Sequence, residues 1–363
     1  MKAAWQGLDA AKVWDAHAHL IGVGDAASGV VVNPRSQSLL SPGEYARRVF
    51  FLNASCAKDA PVGVDRGFVA RALDLMQALP GTKMLLYAFE RAHDERGAPL
   101  PQRSGLHVPD AYAREVARAH PQVFEWVASV HPYRADCVEA LERAKAEGAR
   151  AVKWLPSAMN IDPASPRCDR FYEALARLHV PLVAHAGLAR AVIGADLQDY
   201  GNPLRLRRAL DAGVRVVVAH CASMGRDRDL DQGAHGPAVE SFALFARLMD
   251  EPRYARRLYG DLSAVTQVNR AAGTLARVLE RSDWHARLLN GSDYPLPGVM
   301  PLFSLDFIVS LGLLEPAAAP VLSQIRQHNP LLFDFVLKRS LRWRGAALAA
   351  SVFETRQFFE GGV

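Results

Sequence analysis

Lys12-Val13-Trp14-Asp15-Ala16-His17-Ala18-His19-Leu20 is the stretch on which the fold turns. A largely apolar run ending in two histidines two residues apart reads as a strand, because residues i and i+2 share a face. The two imidazoles then project together, with the small Ala16 and Ala18 turned the other way. Such a pair suits a divalent metal, which neutral ring nitrogens bind well. Its meaning depends on what stands at the ends of later strands.

Strand-like runs recur at 83–89, 123–130, 149–155, 180–185, 214–220, 257–262 and 287–291, and helix-like segments such as 136–147, 170–179, 203–212 and 241–248 lie between them. Eight strands alternating with helices predict an α/β protein of the (β/α)8 TIM-barrel class, although a doubly wound open sheet has the same local pattern. Spacing favours the barrel. From Lys153 through His185 and His220 to Asp293 the separations are 32, 35 and 73 residues, the last being two units. A polar residue thus ends nearly every strand in this half, and barrel active sites gather at that rim.

Residues 20–82, with Pro34, Pro42 and Pro61, are too long for one connection and are expected to form a lid, a pocket wall or a dimer contact. Residues 223–237 read as a mobile rim loop and 331–359 as helices closing the barrel. Residues 1–363 read as one domain; the sequence leaves the oligomeric state open, with a homodimer as one option.

Composition narrows the function classes. Of 363 residues 50% are hydrophobic, but no uninterrupted apolar run is long enough to span a membrane. The first residues, Met1-Lys2-Ala3-Ala4-Trp5, lack the apolar core of a signal peptide. Cys56, Cys137, Cys168 and Cys221 form no CxxC pair, so reduced thiols and a cytoplasmic location are expected. The net charge of +5 comes from arginines scattered among acids, as in Arg226-Asp227-Arg228-Asp229. That describes a solvated mixed surface; the expected partner is a small molecule, with no nucleic acid and no membrane.

Four further elements join the histidine pair: Val183-Ala184-His185, Val217-Val218-Ala219-His220, Asn290-Gly291-Ser292-Asp293 and Val152-Lys153-Trp154. Alone, each has an ordinary reading as a core histidine, a turn former or a solvent-seeking lysine. In order, at the ends of successive strands, they describe one site. Around it, Tyr87 and Arg91 follow strand two, His131, Tyr133 and Arg134 follow strand three, and Trp154, Met159 and Asn160 follow strand four. Arg91, His131, Tyr133, Trp154 and Asn160 are therefore the expected substrate-binding residues, suited to a small, carboxylate-bearing acid, ester or lactone. The competing reading pairs Arg91 and Arg134 with Asp94 and Asp136 at the surface.

From Asp15-Ala16-His17-Ala18-His19 to Gly291-Ser292-Asp293-Tyr294-Pro295 this ordered set resembles the amidohydrolase superfamily, in its amidohydrolase-related branch of metal-dependent hydrolases with a TIM-barrel fold. The resemblance implies a catalytic divalent metal, zinc above all, held by His17, His19, His185 and Asp293. In a one-ion site His220 stays off the metal and polarises the substrate or assists proton transfer. In a two-ion site a carbamylated Lys153 bridges, and His185 and His220 hold the second ion. The branch favours one. The metal acidifies a bound water, with Asp293 as general base and then acid. Metal-dependent hydrolysis of a small amide, ester or lactone is the leading reading; non-oxidative decarboxylation of an aromatic or unsaturated acid, and a metal-binding barrel without turnover, are the alternatives.

Overall fold

The computed structural model describes residues 2–190 and 194–361. Its β-branched and apolar runs form eight parallel strands: β1 Trp14–His19, β2 Lys83–Tyr87, β3 Phe124–Val127, β4 Val152–Trp154, β5 Leu182–His185, β6 Val216–Ala219, β7 Leu258–Asp261 and β8 Leu288–Leu289. Regular ladders join β1 to β3 in one sheet and β4 to β8 in another. Both seams between these sheets are bridged. Ala128 pairs with Val152 in parallel, and Lys153 N–H donates to Ala128 O at 2.7 Å. On the far side Ala18 pairs with Tyr294, Ala16 N–H donates to Asn290 O and Asp293 N–H donates to His17 O. The ring of strands is closed, which excludes the open sheet.

The core is divided as a barrel requires. Trp14, Ala16, Leu85, Tyr87, Val127, Ala151, Val183, Val217 and Leu289 pack inside, with Phe359 of the C-terminal helix Arg356–Glu360 beneath them. A larger cluster lies between the strands and the surrounding helices. The tail forms helices Pro330–Ser340, Ala350–Phe353 and Arg356–Glu360, and Thr355 Oγ1 donates to Trp14 O at 2.6 Å.

Strand β1 departs from simple alternation. Asp15 registers with Met84 but Ala18 with Leu86, so β1 carries one extra residue. A bulge of this kind re-aims side chains. Ala16 therefore packs inside beside Trp14, not on the face opposite His17 as strict alternation predicts. Only Ala18 joins the outer core.

The long segment after β1 divides in two. Helix Val64–Met76 buries Phe68, Ala72 and Leu75 and belongs to the ordinary helical layer. The excursion proper runs from 20 to 63, with strand Val31–Val32 paired to Leu106–His107 and helix Pro42–Ala54. Buried Asp65 pins it to the rim by accepting from Val23 N–H, Gly24 N–H and Ser28 Oγ–H. Residues 223–237 are more ordered than a bare loop: Arg226–Arg228 pairs with Ala238–Glu240, and Asp229 accepts from Arg247 at 2.6 and 2.7 Å.

Candidate metal centre

The bulged end of β1 turns His17 and His19 to the mouth of the barrel, where both line a cavity of about 340 Å³. The end of β8 comes to meet them. Gly291 permits this approach, because a Cβ there would stand 2.7 Å from His17 Cβ and 2.9 Å from His17 N. Asp15 ties the two ends together, its Oδ1 accepting from His17 N–H at 3.1 Å and from Ser292 N–H at 2.7 Å. Asp293, at φ 62°, then aims its carboxylate inward. Its Oδ1 lies 3.1 Å from His19 Nε2 and 3.6 Å from His17 Nε2. These three groups offer one ligand atom each, all within 4.8 Å of one another.

The protonation pattern suits a cation. His17 Nδ1–H donates to Asp261 Oδ2 at 2.9 Å, which leaves Nε2 as a bare lone pair. Burial pushes the His17 pKa down to about 4, and the Lys153 ammonium assists, against the pull of Asp261 and Asp293. The Asp293 carboxyl is raised by burial, yet the neighbouring His220, His19 and His17 hold it well below the ordinary carboxylate range. His185, at the end of β5, is buried, and its Nε2 has no hydrogen-bond partner among the described residues. An orphaned ring nitrogen on a side chain whose ring lies 5.2 Å from that of His220 fits a metal ligand, because an empty site would leave it unsatisfied, although His185 lies outside the close group of His17, His19 and Asp293. Lys153 Nζ, buried at the end of β4, donates to His17 Nε2 at 3.4 Å. Burial lowers the Lys153 pKa to about 8, although Asp261 and Asp293 oppose the shift.

His220 is aimed by backbone strain: His220, Cys221 and Ala222 all have φ between 50° and 56°. Three consecutive non-glycine residues in the left-handed region persist only where their surroundings enforce it. Here His220 N–H donates to Asp261 Oδ1 and His220 Nδ1–H to the carbonyl of Ser263 at 3.0 Å. A carbonyl can only accept, so the proton is on Nδ1 and Nε2 is bare. With a pKa pushed down to about 3, chiefly by burial, His220 presents an acceptor to the cavity. That corrects the expectation that it polarises a substrate carbonyl, which would need an N–H.

Asp261, at the end of β7, escaped the sequence reading. Its oxygens accept from His17 Nδ1–H, His220 N–H, Ser263 N–H and Ser263 Oγ–H. Its distances would also allow it to hold a metal with His17 and His220. With both oxygens already taken by donors, orienting the two histidines is the better account. The available signal was the two-unit gap between His220 and Asp293, in the middle of which an acid closes an apolar strand. Asp261→Asn is expected to lower metal affinity about 10–100-fold, the usual cost of losing such a support. Metal titration of the variant checks this, and an unchanged affinity would remove Asp261 from the site.

The expected substrate-binding residues do not line the cavity. Because Lys153 faces inward, Trp154 faces outward, stacking on Phe171 and donating to Val130 O. His131 donates to Met159 O, Tyr133 Oη accepts from Asp162 N–H, and Asn160 donates to His93 O. Arg134 pairs with Glu90 at 2.7 Å and with Asp136 at 2.8 Å. Arg91 is half-buried beside Glu90 and away from the cavity wall. The walls come instead from the excursion (Phe50, Phe51), from Phe89 and Leu106, and from the loops carrying Arg270, Leu296 and Leu302. Apart from Phe89, which closes the run 83–89, no strand-end pattern marks these positions.

The chain is similar to a probable 2-pyrone-4,6-dicarboxylic acid hydrolase from Acinetobacter baumannii (13% identity, 87% of this chain and 94% of that one, TM-score 0.49). It is also similar to an uncharacterized TIM-barrel protein from Bordetella bronchiseptica (16%, 89% and 99%, TM-score 0.49). A third similarity is to a 4-oxalomesaconate hydratase from Rhodopseudomonas palustris (14%, 89% and 97%, TM-score 0.46). No curated protein matches. The amidohydrolase family model matches residues 14–330, from the first residue of β1 to past Asp293. A chain matched over that length, through every strand of its barrel, belongs to the amidohydrolase family.

Proposed function

We propose that this protein is a metal-dependent hydrolase acting on an amide, ester or lactone carbonyl of a small, largely apolar molecule. The observation that carries the reading is the convergence of His17 Nε2, His19 Nε2 and Asp293 Oδ1 within 4.8 Å at the floor of a cavity walled by apolar side chains. His17, His19 and Asp293 would hold one ion, zinc by the chemistry of the donors, with the orphaned His185 Nε2 completing the set. When bound, such an ion supplies a Lewis acid that polarises a carbonyl and acidifies water. Asp293, kept ionised, takes the proton of the attacking water and returns it to the leaving group. The aromatic walls exclude bulk water and hold the substrate body.

A second reading has its own support. His220 presents a bare Nε2, and burial favours the uncharged Lys153 amine, the form that can be carbamylated. A bridging Lys153 with a second ion on His185 and His220 would use both. Elemental analysis separates the two. The one-ion reading expects a stoichiometry near one, unchanged in Lys153→Ala; a value near two that falls in that variant establishes the bridge. Hydrolysis itself is tested by products from a panel of lactones, esters, amides and aromatic acids. Release of carbon dioxide in place of hydrolysis products would replace this reading with decarboxylation.

A further inference from the structure

Arg270 stands in the loop after β7, lines the cavity and is only 9% exposed. Its Nη1 donates to Ser223 Oγ at 3.2 Å, while its Nε has no partner among the described residues. No carboxylate of the described residues forms an ion pair with it; the acids whose charges reach it are Asp293 and Asp261. Neither is free to pair, since Asp261 is taken by four donors and Asp293 faces His17 and His19. A guanidinium stays charged, and a buried charge without a counterion is costly. Arg47 and Arg48 of helix Pro42–Ala54 also line the cavity, and Arg48 Nε too is without a partner among the described residues, but both side chains are only half-buried, whereas Arg270 is buried.

We propose that Arg270 is the anchor for a carboxylate on the ligand, whose apolar body lies against Phe50, Phe51 and Phe89. The planar fork of arginine matches a carboxylate with paired, charge-assisted hydrogen bonds. This deepens the hydrolase reading and rests on it in one respect: the anchored carboxylate is a spectator, while a separate carbonyl meets the reacting water. The substrate class is then an apolar acid that also carries an amide, ester or lactone. Expected residues Arg91 and Arg134 do not supply this charge, because neither lines the cavity.

The test compares 4-phenylbutyrate with 4-phenylbutyramide by calorimetry, on metal-loaded and metal-stripped protein. The native chain is expected to prefer the acid by about tenfold or more. That preference should vanish in Arg270→Gln, be partly kept in Arg270→Lys, and survive metal removal. Metal stoichiometry equal to the native protein confirms that each variant is folded. Should Arg270→Gln not fold, Arg270→Lys still decides, since losing the fork while keeping the charge must weaken the acid and not the amide. A preference that persists in the variants, or that disappears with the metal, puts the carboxylate elsewhere and overturns the proposal. Binding of neither probe overturns it too. The product assay answers separately: carbon dioxide release would refute hydrolysis without touching the acid preference assigned to Arg270.

Discussion

Asp293→Asn is expected to reduce turnover by about 10²–10⁴-fold, the range attributable to a positioned proton-transfer group. The asparagine keeps the size of the side chain and an oxygen facing His19 and His17, 3.1 and 3.6 Å from Oδ1 in the native protein. It cannot accept a proton at neutral pH. Metal content should therefore fall far less than turnover, and comparing the two by elemental analysis and single-substrate kinetics checks the assignment. Near-native turnover would show that the proton goes elsewhere, with the bare Nε2 of His220 as the next candidate.

His17→Ala has the opposite signature: metal and turnover should be lost together. His17 is fully buried between Asp261 on its Nδ1 side and Asp293 and Lys153 on its Nε2 side. Its removal deletes a ligand lone pair and leaves the Asp261 carboxylate without one of its four donors. Metal affinity is expected to drop by more than the roughly 10–100-fold assigned to a supporting residue, and activity should fall at least in proportion. Thermal denaturation gives an independent readout. Metal at about 1,000 times its Kd stabilises the native protein by about 4 kcal/mol, whereas His17→Ala should show almost no metal-dependent shift. A full shift in the variant would mean that the ion binds without His17.

How much was legible follows from the range over which each feature is determined. Eight strand runs at βα spacing were readable because strand pattern and helix stops are local. His17, His19, His185, His220, Lys153 and Asp293 could be named because they stand at or just past the ends of five strands, and parallel strands bring all those ends to one rim. Asp261 obeys the same rule and was passed over only because a two-unit gap was accepted as empty. Arg91, His131, Tyr133, Trp154 and Asn160 went wrong for another reason. They follow the correct strands, but alternation turns Trp154 outward and backbone carbonyls or a neighbouring N–H engage His131, Tyr133 and Asn160.

The sequence alone determined the class of barrel, the family and the side chains at its rim, since periodicity and strand-end chemistry are written residue by residue. Only the tertiary structure decided that β1 bulges, so that Ala16 stays inside while His17 and His19 face the site. It alone decided that Asp261 holds two histidines, His17 by its Nδ1–H and His220 by its backbone N–H, and that Arg270 lies buried without a paired acid in the cavity that Phe50 and Phe51 also line. A bulge, a loop path and an unpaired charge arise from segments hundreds of residues apart packing together, and no local pattern encodes that meeting.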